Sequence, residues 1–169
     1  HQRRSFTRCS SVALERSVSS DDSDLSLQAP VVAVTPRTDP LPPSLLLYFD
    51  ASVRYGEDNA TPTSAAVGFV VEDGTETMIE GSLPVRTFVS SAHLEYRALL
   101  EGVQAVAGLD GRIASLHVHG DADAVIDAVD PATDATPGDR IMRQRVAAIR
   151  AAVDEIPTVT YRAVGRGRN

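Results

Sequence analysis

Three carboxylates stand where the sequence could make them act together. Asp50 ends the apolar run of "SLLLYFDAS", Asp121 ends the alternating run of "RIASLHVHGD", and Glu95 lies in the opening turns of "SSAHLEYRALLEGVQAVAGLDG". Glu95 precedes Leu99 and Val103 at helical spacing, so it points along an apolar stripe, where an ionised carboxylate is costly unless it is paired or bound to a cation. The ends of neighbouring strands in an α/β sheet are where sites collect. Acids gathered there repel one another and their pKa values rise unless a hard divalent ion neutralises them. Mg²⁺ suits such a set, because it accepts two or three carboxylates and keeps positions for water and phosphate oxygens.

The elements that must carry these acids are legible in the hydrophobic pattern. Residues 45–53 are apolar on both faces, which predicts a central strand. "SAAVGFVVED" and "TETMIEGSLPVR" predict two more strands, joined at "EDGTE" by a hairpin turn with Gly74. Tyr96, Leu99, Leu100, Val103 and Val106 fall at helical spacing, with Ser90 or Ser91 to cap the helix and Gly108 or Gly111 to stop it. "RIASLHVHGD" alternates as a strand, "DADAVIDAVD" forms a short helix ended by Pro131, and "PATDATPGD" is a loop. "RIMRQRVAAIRAAVDEI" puts Met142, Val146, Ile149, Val153 and Ile156 on one helical stripe, and "TVTYRAVGRGRN" begins as a last strand. The order is β-β-β-α-β-α-α-β: an α/β domain with a mixed five-stranded sheet flanked by helices.

At 169 residues, 43% of them hydrophobic, the chain has material for one domain with a substantial core. Residues 1–43 mix Ser, Arg, Asp and Pro without periodicity and read as a disordered leader, leaving 44–169 as the domain. Residue 1 is His, so the natural start is expected further upstream. The single cysteine, Cys9, excludes an internal disulfide framework and fits a reducing, cytoplasmic compartment. No run reaches the roughly 18 apolar residues of a membrane helix, so a soluble protein, expected to be monomeric, is the reading. All 16 basic residues are arginine and the net charge is −7, a balance that suits salt adaptation and lacks the broad basic footprint of many nucleic-acid binders.

Taken in order, "YFDAS", "AAVGFVVEDG", "LEYRALLEGVQAV", "LHVHGDADAVIDAV" and "YRAVGRGRN" resemble the ribonuclease H family, in particular its short prokaryotic type 1 branch, over residues 44–169. The resemblance implies a ribonuclease H-like fold and hydrolysis of the RNA strand of an RNA/DNA hybrid at two divalent ions, Mg²⁺ or Mn²⁺. It gives Asp50 the bridging position between the ions, Glu95 a role in holding one ion and orienting water, and Asp121 the completion of the pair. Two cations about 4 Å apart can activate the attacking water and stabilise the leaving oxygen. Ser52, Ser91, Arg166 and Asn169 fall at positions of substrate contact, with Arg166 where many members have a mobile histidine.

The departures from the family lie in those contacts. "TPT", Thr61 to Thr63, stands in place of an Asn-Pro-Gly turn behind an enlarged "VRYGEDNA" loop. Ser90, Ser91 and Ala92 replace Thr-Asn-Asn before the helix glutamate, and Asp123 stands where a polar or basic residue is usual. The family's fourth acid would follow a few residues after Asn169, so the natural chain is expected to continue and supply it; should residues 1–169 cleave as fast without it, Asp123 is the first candidate to serve in its place. The altered contacts make a non-catalytic ribonuclease H-like binding or interaction module the alternative.

Two other constellations compete. "HVHGD" sets His117, His119 and Asp121 on one strand face, as in binuclear zinc hydrolases, but Ala122 takes the place of the next histidine and no histidine follows. Arg140, Arg143 and Arg150 share one side of the late helix and could track phosphates, although a solvated face balanced by Asp139, Asp154 and Glu155 is the simpler reading. "GRGRN" lacks the strand-to-helix setting of a dinucleotide or phosphate loop.

Overall fold

The computed structural model describes residues 29–38, 40–86 and 90–165. Its elements are β1 (Val31–Val34), β2 (Ser44–Tyr55), β3 (Pro62–Glu72), β4 (Thr77–Val85), α1 (Ser91–Ala107), β5 (Ser115–Gly120), α2 (Asp123–Val129), α3 (Arg140–Ala152) and β6 (Thr158–Ala163). They form one mixed sheet in the order β1-β4-β3-β2-β5-β6. The hairpins β2–β3 and β3–β4 are antiparallel, whereas β5 runs parallel to both β2 and β6 across helical crossovers.

The sheet has six strands rather than the expected five. The extra strand, β1, lies inside the segment read as an irregular leader and pairs antiparallel with β4, Val31 opposite Ser82 and Val34 opposite Ile79. All four of its residues are exposed, so this edge strand carries no alternation of buried and solvated positions, and Pro30 and Pro36 confine it. Arg37 beyond it reaches Asp73 in the β3–β4 turn at 3.0 Å.

Burial follows parity. Leu45, Leu47 and Phe49 of β2 are buried beside Val67, Phe69 and Val71 of β3 and Leu116 and Val118 of β5, all on the face that α1 covers. From α1 come Leu94, Tyr96, Ala98, Leu99, Val103 and Val106, and from α3 Val146 and Ile149. Ser90 caps α1, its side chain accepting from the His93 amide, and Asp139 caps α3 by accepting from the Met142 amide. Gly74, at φ 98°, makes the β3–β4 turn as the "EDGTE" signal implied.

In the β2–β3 loop Asp58 accepts from the amides of Ala60 and Thr61. The Thr61 hydroxyl and then these amides bring its pKa down from 3.8 to about 2. The folded value lies below the unfolded one, so the contribution of Asp58 to stability is full above about pH 4 and fades as pH falls toward 2. The stability gap between wild type and Asp58→Ala, read from urea melts, is expected to stay constant from about pH 5 to 8 and to close over that acidic window.

Candidate metal centre

Strand register brings two of the acids together. Tyr48 of β2 lies opposite His119 of β5, and two residues further along these parallel strands come Asp50 and Asp121. Glu95 reaches the same point from the second turn of α1, in the layer packed on the sheet. One ligand atom from each of the three carboxylates lies within 4.8 Å of the other two. Asp50 is exposed, and Glu95 and Asp121 are half-buried. Oxygens around one octahedral Mg²⁺ stand about 3–4 Å apart, close to the spacing of this trio, so the donors fit a hard divalent cation.

The backbone beneath the acids is packed without slack. A Cβ on Gly120 would stand 2.4 Å from Cζ of Phe49, and one on Gly81 would stand 2.3 Å from the ring of Phe69. The Phe49 and Phe69 rings thus occupy the space that glycine leaves on the flanking strands. Asp50 also borders a cleft of about 630 Å³ on the sheet face away from α1, lined by Tyr48, Gly68, Glu80, Ser82 and His119.

Other expected residues fall outside the acidic group. Ser52 is exposed on β2 two residues beyond Asp50, and Ser91 is exposed as the first residue of α1. Asp123 is exposed at the start of α2 and does not join the trio. Arg166 and Asn169 lie outside the described residues. The histidines of "HVHGD" are engaged elsewhere: His117 Nδ1 lies 2.6 Å from the Thr160 hydroxyl, and His119 stacks on Tyr48 with ring centroids 5.2 Å apart. Burial, and then the nearby charges of Arg162 and His117, hold the His119 pKa below its usual value. Neither ring takes part in a cluster of three metal-ligating residues among those described, which removes the geometric basis of the zinc reading.

Two of the three late-helix arginines, Arg143 and Arg150, serve the fold. Arg143 donates to the carbonyls of Pro137 and Gly138 at 3.2 and 2.7 Å. Arg150 donates to those of Val129 and Ala128 at 3.2 and 3.1 Å, satisfying the C-terminal carbonyls of α2. Arg150→Ala is therefore expected to cost about 1–2 kcal/mol in denaturant unfolding while leaving affinity for a nucleic-acid duplex unchanged. A loss of affinity at unchanged stability would return Arg150 to the phosphate-tracking role.

Six mixed strands in this order, with α1 and α3 on one face and acids meeting just past the end of the β2–β5 pairing, define a ribonuclease H-like fold. Structures similar to this chain include RNase H1 from the halophilic archaeon Halobacterium salinarum, at 23% identity and TM-score 0.59, covering 73% of this chain and 86% of that one. The N-terminal RNase H domain of a Mycobacterium tuberculosis protein matches at 19% identity and TM-score 0.62, covering 75% and 85%. LC11-RNase H1, solved in complex with an RNA/DNA hybrid, matches at 16% identity and TM-score 0.61, covering 74% and 88%. No family model and no curated protein matches the sequence. Among the described residues no helix is long and apolar enough to cross a membrane.

Proposed function

We propose that the chain is a type 1 ribonuclease H of the short prokaryotic kind, a divalent-metal-dependent endonuclease that hydrolyses the RNA strand of RNA/DNA hybrids. The observation that carries this reading is the meeting of Asp50, Glu95 and Asp121 within 4.8 Å, on a ribonuclease H-like fold. Asp50 on β2 and Asp121 just past the end of β5 would hold the cations, two per site and Mg²⁺ or Mn²⁺ by preference, and Glu95 would hold one of them and orient the attacking water. When bound, the ions supply the positive charge that activates water and offsets the charge gathering on the phosphate. Ser52 and Ser91, exposed on the elements that carry Asp50 and Glu95, are suited to hydrogen-bond the backbone or 2′-hydroxyls of the hybrid. The single cysteine fits a reducing compartment, and a monomeric enzyme of the cytoplasm is part of this reading.

Labelled RNA/DNA hybrid, duplex DNA, duplex RNA and single strands, each incubated with the protein and Mg²⁺, test the proposal. Cleavage confined to the RNA of the hybrid and abolished by a chelator is expected. Hybrid binding with no cleavage under Mg²⁺ or Mn²⁺ would contradict it and favour the non-catalytic module.

A further inference from the structure

The first turn of α1 holds a buried histidine that the chemistry above leaves unused. His93 is 8% exposed, and its two ring nitrogens face the capping side chains of two different helices. Ser90 Oγ lies 2.8 Å from Nδ1, and Asp139 Oδ1 lies 3.4 Å from Nε2 while also accepting from the Met142 amide at 3.0 Å. The tautomer that serves both neighbours carries its proton on Nε2, toward the carboxylate, and accepts from the Ser90 hydroxyl at Nδ1. At 3.4 Å the Asp139 contact is long for a hydrogen bond and acts chiefly as an attraction between the carboxylate charge and the Nε2–H dipole.

This bridge bears on Glu95. The β2–β5 ladder sets where Asp50 and Asp121 stand, but Glu95 comes from another layer, so its distance from them depends on how α1 lies over the sheet. Near its middle α1 is seated at Gly102, where a Cβ would stand 2.8 Å from Leu47 Cδ1 and 3.2 Å from Phe69 Cβ. Glu95 is seven residues away, about 10 Å along the axis, so a tilt of about 6° at that seat displaces it by about 1 Å. Mg²⁺ demands oxygens at about 2.1 Å in near-ideal geometry, and a displacement of that size loses a ligand. Burial of Leu94 and Tyr96 presses the first turns onto the core, and the His93 bridge adds a lateral tie to α3.

We propose that Ser90, His93 and Asp139 form a positioning bridge through which α3 holds Glu95 in register with Asp50 and Asp121. The inference rests on the metal-site reading of the preceding section. None of the three is a catalytic residue in this scheme, because they act through the lie of the helix.

The test is Mn²⁺ titrated into the folded chain without nucleic acid, free Mn²⁺ being read from its paramagnetic resonance signal. His93→Ala and Asp139→Ser are expected to weaken binding about tenfold, the scale of losing a partner that orients a ligand. Serine keeps the cap of α3 but is too short to reach His93, so Asp139→Ser carries the test should His93→Ala fail to fold. His93→Gln, whose amide extends toward Asp139, is expected to stay within about twofold of wild type. In a Glu95→Gln background His93→Ala should add less than about twofold, because positioning needs the carboxylate that it positions. Wild-type affinity in folded His93→Ala and Asp139→Ser would overturn the bridge and leave the metal site standing. A weakening undiminished by Glu95→Gln would overturn it too, since the effect would then be a general loosening. A wild-type chain that binds no Mn²⁺ would bring down the metal-site reading and the bridge together.

Discussion

Asp50→Asn is expected to lower hybrid cleavage by about a thousandfold or more while leaving the metal-free protein as stable as wild type, or more so. Three carboxylates with donor atoms inside 4.8 Å repel one another whenever no cation lies between them. Replacing one by a neutral amide of the same shape relieves that repulsion and removes one of the three anionic donors. The amide oxygen can still accept from the Ala51 amide, as Asp50 does at 2.9 Å, so the local backbone keeps its hydrogen bond. Initial rates on labelled hybrid, together with thermal melts in chelator, separate the two effects. A drop of many degrees in the chelated melt would show Asp50 to be a structural residue.

Gly120→Ala is the second large effect, and it joins packing to chemistry. The added methyl would stand 2.4 Å from Cζ and 2.5 Å from Cε1 of Phe49, a ring only 4% exposed and enclosed by the core. Either the ring or strand β5 must shift, an overpacking that costs about 1–3 kcal/mol. Phe49 precedes Asp50 and Gly120 precedes Asp121, so the strain falls on these two acids. Cleavage is therefore expected to fall by about tenfold to a hundredfold at temperatures where the variant is still fully folded. Gly138→Ala, at a position where a Cβ meets nothing within 4 Å, is the control and should leave both stability and rate unchanged. Equal stability of Gly120→Ala and wild type would mean that Phe49 moves freely, and the packing account of the site would fail.

What could be read from sequence was what repeats along the chain. The spacing of Tyr96, Leu99, Val103 and Val106 marks α1, and these residues are buried. The two-sided apolar run before Asp50 marks a central strand, and β2 lies between β3 and β5. Asp50 and Asp121 could be paired because both follow apolar runs of plain parity, although Asp50 lies inside β2, which continues to Tyr55, and not at its end. Strand β1 was hidden because an edge strand exposed on both faces has no period to detect, and its prolines suggested irregular chain. Asp139 looked like one of several acids balancing a charged helix, whereas it caps α3 and faces His93, 46 positions earlier in the chain. Arg143 and Arg150 matched a phosphate-tracking pattern, but the carbonyls they satisfy belong to neighbouring loop and helix ends that no local pattern foretells. The contacts of Arg150 and Asp139 join segments far apart in the chain and arise only once the elements are packed.

The account turns on a divalent cation held by three named side chains, and anomalous diffraction from crystals soaked in Mn²⁺ measures that directly. The account predicts a Mn²⁺ peak about 2.0–2.4 Å from carboxylate oxygens of Asp50, Glu95 and Asp121, lost in the Asp50→Asn variant. An anomalous map with no Mn²⁺ at these carboxylates, taken at a concentration that supports cleavage in solution, would contradict it.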